Sequence, residues 1–237
     1  MELTRTLTLL LLLTVSAVAQ RIPAASSVDR NGLVWRGCIE GYVGPSGTVP
    51  SSLRSPTPYG FGVRNAPTFA RYNGRSSMSF VAASSQSATS DLAMANMELD
   101  TVTVSFWLNS TQATSGVQEI LVKWASSVAL RYPFLVRQNN GVVAFVAYDG
   151  TKGPAGVTPS STVIDGKWHH VAGVRVKQKT IKLYIDGTLR DSAVDDTTAQ
   201  TSNNHVVCIA ARSDTFNPFS GRYHDVRIYN IAKTAET

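Results

Sequence analysis

The alternation of apolar and polar positions is the strongest signal in the chain. Residues 101–109, TVTVSFWLN, place Val102, Val104, Phe106 and Leu108 on one face and Thr103, Ser105, Trp107 and Asn109 on the other. This is the period-two signature of a half-buried strand. Residues 142–148, VVAFVAY, are apolar at nearly every position, as in a strand covered on both faces. Residues 205–211, HVVCIAA, read the same way. Shorter strands are predicted over 78–81, 120–124, 134–137 and 222–229. WHHVAGVRV and TIKLYIDG flank the polar Lys177-Gln178-Lys179, which predicts a hairpin, and Asp186-Gly187 turns the chain after it. Residues 44–67, rich in Gly, Pro and Ser, predict a long surface loop. The only helix signal is a short one starting at Lys233. Together these elements predict an all-β chain, an antiparallel two-sheet β-sandwich of jelly-roll type.

The two adjacent histidines follow from the same periodicity. Neighbouring side chains of a strand point to opposite faces, so His169 and His170 do not share a metal ion or act as one acid/base pair. Trp168, His170, Ala172, Val174 and Val176 form the more apolar row. That places His170 on the core side of the sheet and leaves His169 exposed.

The N-terminus departs from the strand pattern. MELTR is a short charged start, residues 6–17 are an apolar run, and Ala17-Val18-Ala19 satisfies the small-x-small cleavage rule. Residues 1–19 therefore read as a secretory signal peptide cut before Gln20, with 20–31 a polar leader and 32–237 one domain. The mature chain is expected to be exported, in the periplasm, at the cell surface or outside the cell, with no membrane span. Export bears on the two cysteines, Cys38 and Cys208. They either form one disulfide, worth roughly 4–5 kcal/mol at most for so long a loop, or stand as two buried thiols. The formal charge of +6 favours an anionic partner such as an acidic polysaccharide, and no motif for nucleic acid is present.

Four ordered segments resemble those of LamG-like jelly-roll domains, in the concanavalin A-like lectin/glucanase superfamily. DGKWHHVAGVRVKQKTIKLYIDGTLRD resembles that family's W-H-H-V-A and L-Y-I-D-G hairpin. FSGRYHDVRIYNIAKTAE resembles its final strand and short acidic tail. GRSSMSFVAASSQ and VTVSFWLNS resemble its first strand and its T-V-S-x-W strand. The resemblance spans about Gly32 to Glu236 and implies the sandwich fold. It also implies calcium as the usual cation, with Asp225 in HDVRIY matching a ligand position. By strand alternation Asp225 faces with Tyr223, Arg227 and Tyr229, and the competing reading is an ion pair with an arginine. One departure is clear: the D-G after the family's first strand is Ala82-Ala83 here, which removes an acidic group from a loop that lies near the cation in relatives.

Catalytic chemistry finds little support. A glycosidase needs two carboxylates at a defined separation, yet Glu40, Glu98, Glu119 and Glu236 fall in no paired pattern. G-x-S-x-G, H-E-x-x-H and phosphate-loop motifs are absent. A lyase with a Tyr or His base stays open. A binding site asks for less: aromatic faces beside amide, carboxylate and arginine partners. Trp107 either opens a sugar-facing surface or is covered by a loop or the second sheet. Tyr148 and Asp149 end a central strand at a loop rim, where Asp149 either binds sugar or shapes the turn. Arg212, Asp214 and Asn217 lie in a polar loop with one aromatic, Phe216. These residues make a non-catalytic module for polysaccharide or glycoconjugate the leading expectation. A protein-binding adhesion or scaffold module is second and a polysaccharide-degrading enzyme third.

Overall fold

The structure, a computed structural model, describes residues 32–37, 61–72, 75–90, 99–112, 116–124, 131–160 and 162–234. Its strands in chain order are β1 (Leu33–Gly37), β2 (Phe61–Arg64), β3 (Thr68–Tyr72), β4 (Arg75–Phe80) and β5 (Ser87–Ser90). Next come β6 (Thr101–Asn109), β7 (Val117–Val122), β8 (Tyr132–Asn139), β9 (Val142–Tyr148) and β10 (Ala155–Val157). The last five are β11 (Trp168–Val176), β12 (Thr180–Ile185), β13 (Thr188–Ala193), β14 (Cys208–Ile209) and β15 (Gly221–Tyr229). All pairings are antiparallel. The first sheet runs β13-β12-β11-β6-β15-β4-β3, with β1 also on β15, and the second runs β10-β9-β8-β7-β14-β5-β2. The predicted two-sheet sandwich is the fold. Among the described residues no helix is long and apolar enough to cross a membrane.

The core lies where the inner faces meet. Val102, Val104, Phe106 and Leu108 of β6 are fully buried there, opposite Phe134 and Val136 of β8 and Phe145 of β9. Tyr223 packs among Phe80, Phe106 and Phe219, edge-on to Phe80 at 5.4 Å. Each such ring removed from water contributes about 1.5–3 kcal/mol. β9 is covered on both faces, as its apolar run predicts: Val143, Phe145 and Ala147 join the main core, and Ala144 and Val146 join a second cluster with Val122, Tyr132, Leu135 and Cys208.

Several expectations are corrected. Within the stretch read as a loop, residues 61–64 form β2. β1, β3, β5, β10 and β13 also went unpredicted, because such short strands carry little alternation. The long strand expected over 205–211 shrinks to Cys208–Ile209, and Lys233-Thr234 is not helical. Cys208 is a free, fully buried thiol, which burial pushes up to about 12. The disulfide gains no support, and Cys38 lies outside the described residues, as do residues 1–31 with the proposed signal peptide.

The face assignment of β11 is the reverse of the one expected. Its register sets Val171 opposite Phe106 and Arg175 opposite Val102, so His169, Val171, Gly173 and Arg175 share the inner face. The apolar-row rule fails because the inner row contains a fully buried arginine. Gly173 is small for a reason: a Cβ there would come within 2.6 Å of the Phe145 ring. Arg175 Nε donates to Asp195 Oδ2 at 2.6 Å, Nη2 to Thr197 Oγ1, and Nη1 to Thr201 Oγ1 and the Pro133 carbonyl. His169 is half-buried between two carboxylates, Asp186 at 2.8 Å and Asp165 at 3.0 Å. Asp186 also accepts the His170 backbone N–H and so pins the end of the hairpin. Burial works against a charged His169 ring, but the two carboxylates outweigh it and hold its pKa above the usual 6.5.

Two outcomes follow. Asp195→Ala strands a buried guanidinium and should cost about 3–5 kcal/mol in denaturant unfolding, whereas a loss near zero contradicts the buried-pair assignment. The His169 clamp stabilises below the unfolded-state value near 6.5 and is lost as pH rises through the raised folded-state value. The melting-temperature margin of wild type over His169→Gln should therefore narrow as pH rises above about 6.5.

Candidate functional site

A turn following β14 builds the site. Thr215 N–H donates to the Arg212 carbonyl at 2.9 Å, and Arg212 N–H donates to that of Phe216 at 3.2 Å. Asp214 Oδ1 accepts from Phe216 N–H and from Arg212 Nε, both within 3.2 Å. Thr215 and Asn217 have positive φ. Asn tolerates this region, but a β-branched Thr there is strained. The Asp214 bonds hold the turn against that strain. The Arg212 guanidinium lies over Trp124 at 4.6 Å and over Phe216 at 4.8 Å, within cation–π range of both rings. The row continues from Trp124 to Tyr132 at 5.4 Å and on to Tyr148 at 5.8 Å.

The row ends in solvent. Phe216 is 63% exposed and forms a wall of a cleft of about 580 Å³, within the usual size range of small-ligand sites. Ala82 and Ala83, Gln112, Gln118 and Asn217 line the same cleft. The turn carrying Ala82-Ala83 is anchored by Ala82 N–H on Ser220 Oγ at 2.8 Å. Gln112 is anchored through its Oε1, which accepts from Ser220 N–H. Beneath Asn217 lies Glu119, 2% exposed. Its backbone N–H donates to the Asn217 carbonyl, and its Oε1 accepts from Asn217 Nδ2 at 3.3 Å. Its Oε2 has no hydrogen-bond partner among the described residues. Burial raises the Glu119 pKa, and the Asn217 bond and the charges of Arg137 and Arg212 only partly offset that. No carboxylate is among the residues lining the cleft. A ring, planar amides and hydroxyls suit binding of a neutral polyol surface rather than proton transfer.

The other sequence-derived candidates divide. Arg212, Asp214 and Asn217 come together in this turn, and Tyr148 joins the far end of its aromatic row. Asp149 shapes a turn: Oδ1 accepts from Thr151, and Oδ2 from Thr198 and Ala199 N–H at 2.8 and 3.0 Å. Its pKa is lowered, burial being outweighed by these donors. Trp107 lies apart, half-buried on the outer face of the first sheet, its ring 5.2 Å from that of His170. Neither the core nor the second sheet covers it. Trp124, Tyr132, Glu119 and Gln118 escaped sequence reasoning because only the pairing of β7, β8 and β14 brings them together, and Gln112 because it is held there through Ser220.

Alternation fails at Tyr223 rather than at Asp225, which keeps its expected company with Arg227. A bulge between His224 and Arg227 resets the register, with Asp225 at φ 50°. Tyr223 and Ile228 thus both face the core, while Arg36, Asp225 and Arg227 meet outside it. Arg36 Nε donates to Oδ1 at 2.6 Å, and Arg227 Nη2 donates to Oδ2. Burial alone would raise the carboxyl, but the two guanidiniums outweigh it and lower its pKa. Both oxygens are committed to cations, so Asp225 does not fit a calcium ligand. Among the described residues no three His, Cys, Asp or Glu side chains converge on a metal position.

These features have a family context. The chain belongs to the concanavalin A-like lectin/glucanases superfamily, whose laminin G-type family is matched over residues 82–237. Among solved structures it is similar to the binding domain of Paraclostridial Mosquitocidal Protein 1, at 14% identity and a TM-score of 0.65, covering 86% of this chain and 50% of that one. The receptor binding domain of botulinum neurotoxin D is similar at 11% identity and a TM-score of 0.62, with 86% and 50% covered. The chain spans about half the length of these structures. No curated protein matches it in sequence.

Asp225→Ala should cost about 3–5 kcal/mol by leaving two arginines without their shared carboxylate. The loss should be equal in calcium and in EDTA, and a loss seen only in calcium would restore the metal reading.

Proposed function

We propose that this chain is an exported, non-catalytic binding module that recognises a glycan through the cleft walled by Phe216. The observation that carries the reading is the ring itself. Most large aromatics of the described residues are buried, yet Phe216 is held outward, one face stacked on Arg212 and the rest open beside Asn217 and the glutamines. A fixed aromatic face stacks on the C–H surface of a sugar ring at little entropic cost, and neighbouring amides take up the hydroxyls.

Supporting context comes from similar folds named as the binding domain of a mosquitocidal protein and the receptor binding domain of a neurotoxin. The cleft lacks the acid and base a hydrolase requires. The formal charge of +6 favours acidic glycans on a cell surface or in a matrix. Export rests on the signal-like start of the sequence.

A glycan array probed with residues 20–237 should show saturable binding to a limited glycan class. Phe216→Ala should weaken that binding by about tenfold or more without lowering the melting temperature. Undiminished binding in that variant moves the site elsewhere, and binding to proteins but no glycan favours the scaffold reading.

A further inference from the structure

The cleft at Phe216 does not end at β7. Val117, on its lining, also lines a second cleft of about 450 Å³ on the outer side of the second sheet. Val117 pairs with Asn139 of β8, and the second cleft continues over Arg137, Asn139 and Asn140 to Thr158 and Ser160 of the loop after β10. The two spaces thus adjoin across one strand.

Their linings differ in charge. The first has no ionisable side chain, and the second has one, Arg137. This guanidinium is half-buried and forms no hydrogen bond or ion pair among the described residues. Its cross-strand neighbour is Glu119, but that carboxyl is turned to Asn217. Arg137 therefore presents a planar fork of donors beside exposed amides and hydroxyls. That fork matches the paired oxygens of a carboxylate or a sulfate.

We infer that the two clefts form one groove for an extended acidic oligosaccharide, with one sugar unit against Phe216 and an oxyanion-bearing unit against Arg137. This rests on the glycan reading above. The oxyanion is a uronate carboxylate or a sulfate ester. A single-residue ligand fills only one of the two clefts, so chain length and charge should both matter.

The test is an array of neutral, uronate-bearing and sulfated oligosaccharides of two to about six units, with the best binders titrated by calorimetry. Wild type should prefer acidic chains over neutral chains of equal length by about tenfold, and longer chains over disaccharides. Arg137→Met should bring the affinity for acidic chains down to that for neutral chains of equal length, with the melting temperature unchanged. Arg137→Lys should retain part of the preference, since it keeps charge but loses the fork. The uronate and sulfate arms identify which oxyanion is read. An acid preference that survives Arg137→Met overturns the inference. So does neutral binding lost in Phe216→Ala with no acid preference in wild type, which leaves the glycan reading standing. Binding to no glycan at all overturns both.

Discussion

A guanidinium with no access to water governs one end of the sandwich. Arg175 projects from β11 into the interior, where an unpaired charge is untenable. The fold answers with Asp195, Thr197 and Thr201 and with the carbonyl of Pro133 from the second sheet. Those three side chains belong to the segment that leaves β13 of the first sheet and enters β14 of the second. The crossing between sheets is therefore fixed by hydrogen bonds to one charge. The same segment supplies Thr198 and Ala199 to Asp149, and Asn203, which accepts from the Lys123 ammonium. Each polar group satisfied along this path narrows the route available to the next.

The Arg212–Asn217 turn inherits that route. β14 is only two residues long, and the chain reaches Arg212 soon after leaving it. The second sheet presents Trp124 there, and the Trp124–Arg212–Phe216 stack converts a polar loop into a platform with one ring facing solvent. The Ala82-Ala83 turn, where the family's usual acidic residue is missing, lines the same cleft and leaves it uncharged. At the other sheet, the carboxylate matching a cation position is neutralised by Arg36 and Arg227. Both departures remove acidic oxygens from positions where the family resemblance implied a cation, and the exposed groups left at the cleft are an aromatic ring and amides. Among the described residues lining the two clefts, Arg137 carries the only charge.

The strands with strict alternation were legible because a half-buried strand leaves a period-two record in its own residues: β6, β9 and the β11–β12 hairpin stand where that record puts them. The face of β11 was not legible. Residues 168–176 contain an apolar row and a row bearing His169 and Arg175, and the second row turned out to face inward. Local pattern ranks rows by hydrophobicity, and a buried ion pair supplied from about twenty residues away reverses the ranking. Tyr223 was misplaced for a related reason, since a bulge shifts alternation by one residue and leaves no trace in HDVRIY. Arg212, Asp214 and Asn217 were found because they are neighbours in sequence. Their partners Trp124, Gln118 and Glu119 come from β7 and the residues just after it, far away in the chain.

What the amino-acid order determined alone was the all-β character, the family and the central hairpin, because these rest on interactions between residues close together or on repeated local periodicity. The tertiary structure alone decided which face each polar residue occupies, which charges neutralise one another, and which aromatic remains in water. Those outcomes depend on pairing between distant strands, where the cost of burying a charge is met or left unmet by whatever the fold brings alongside it.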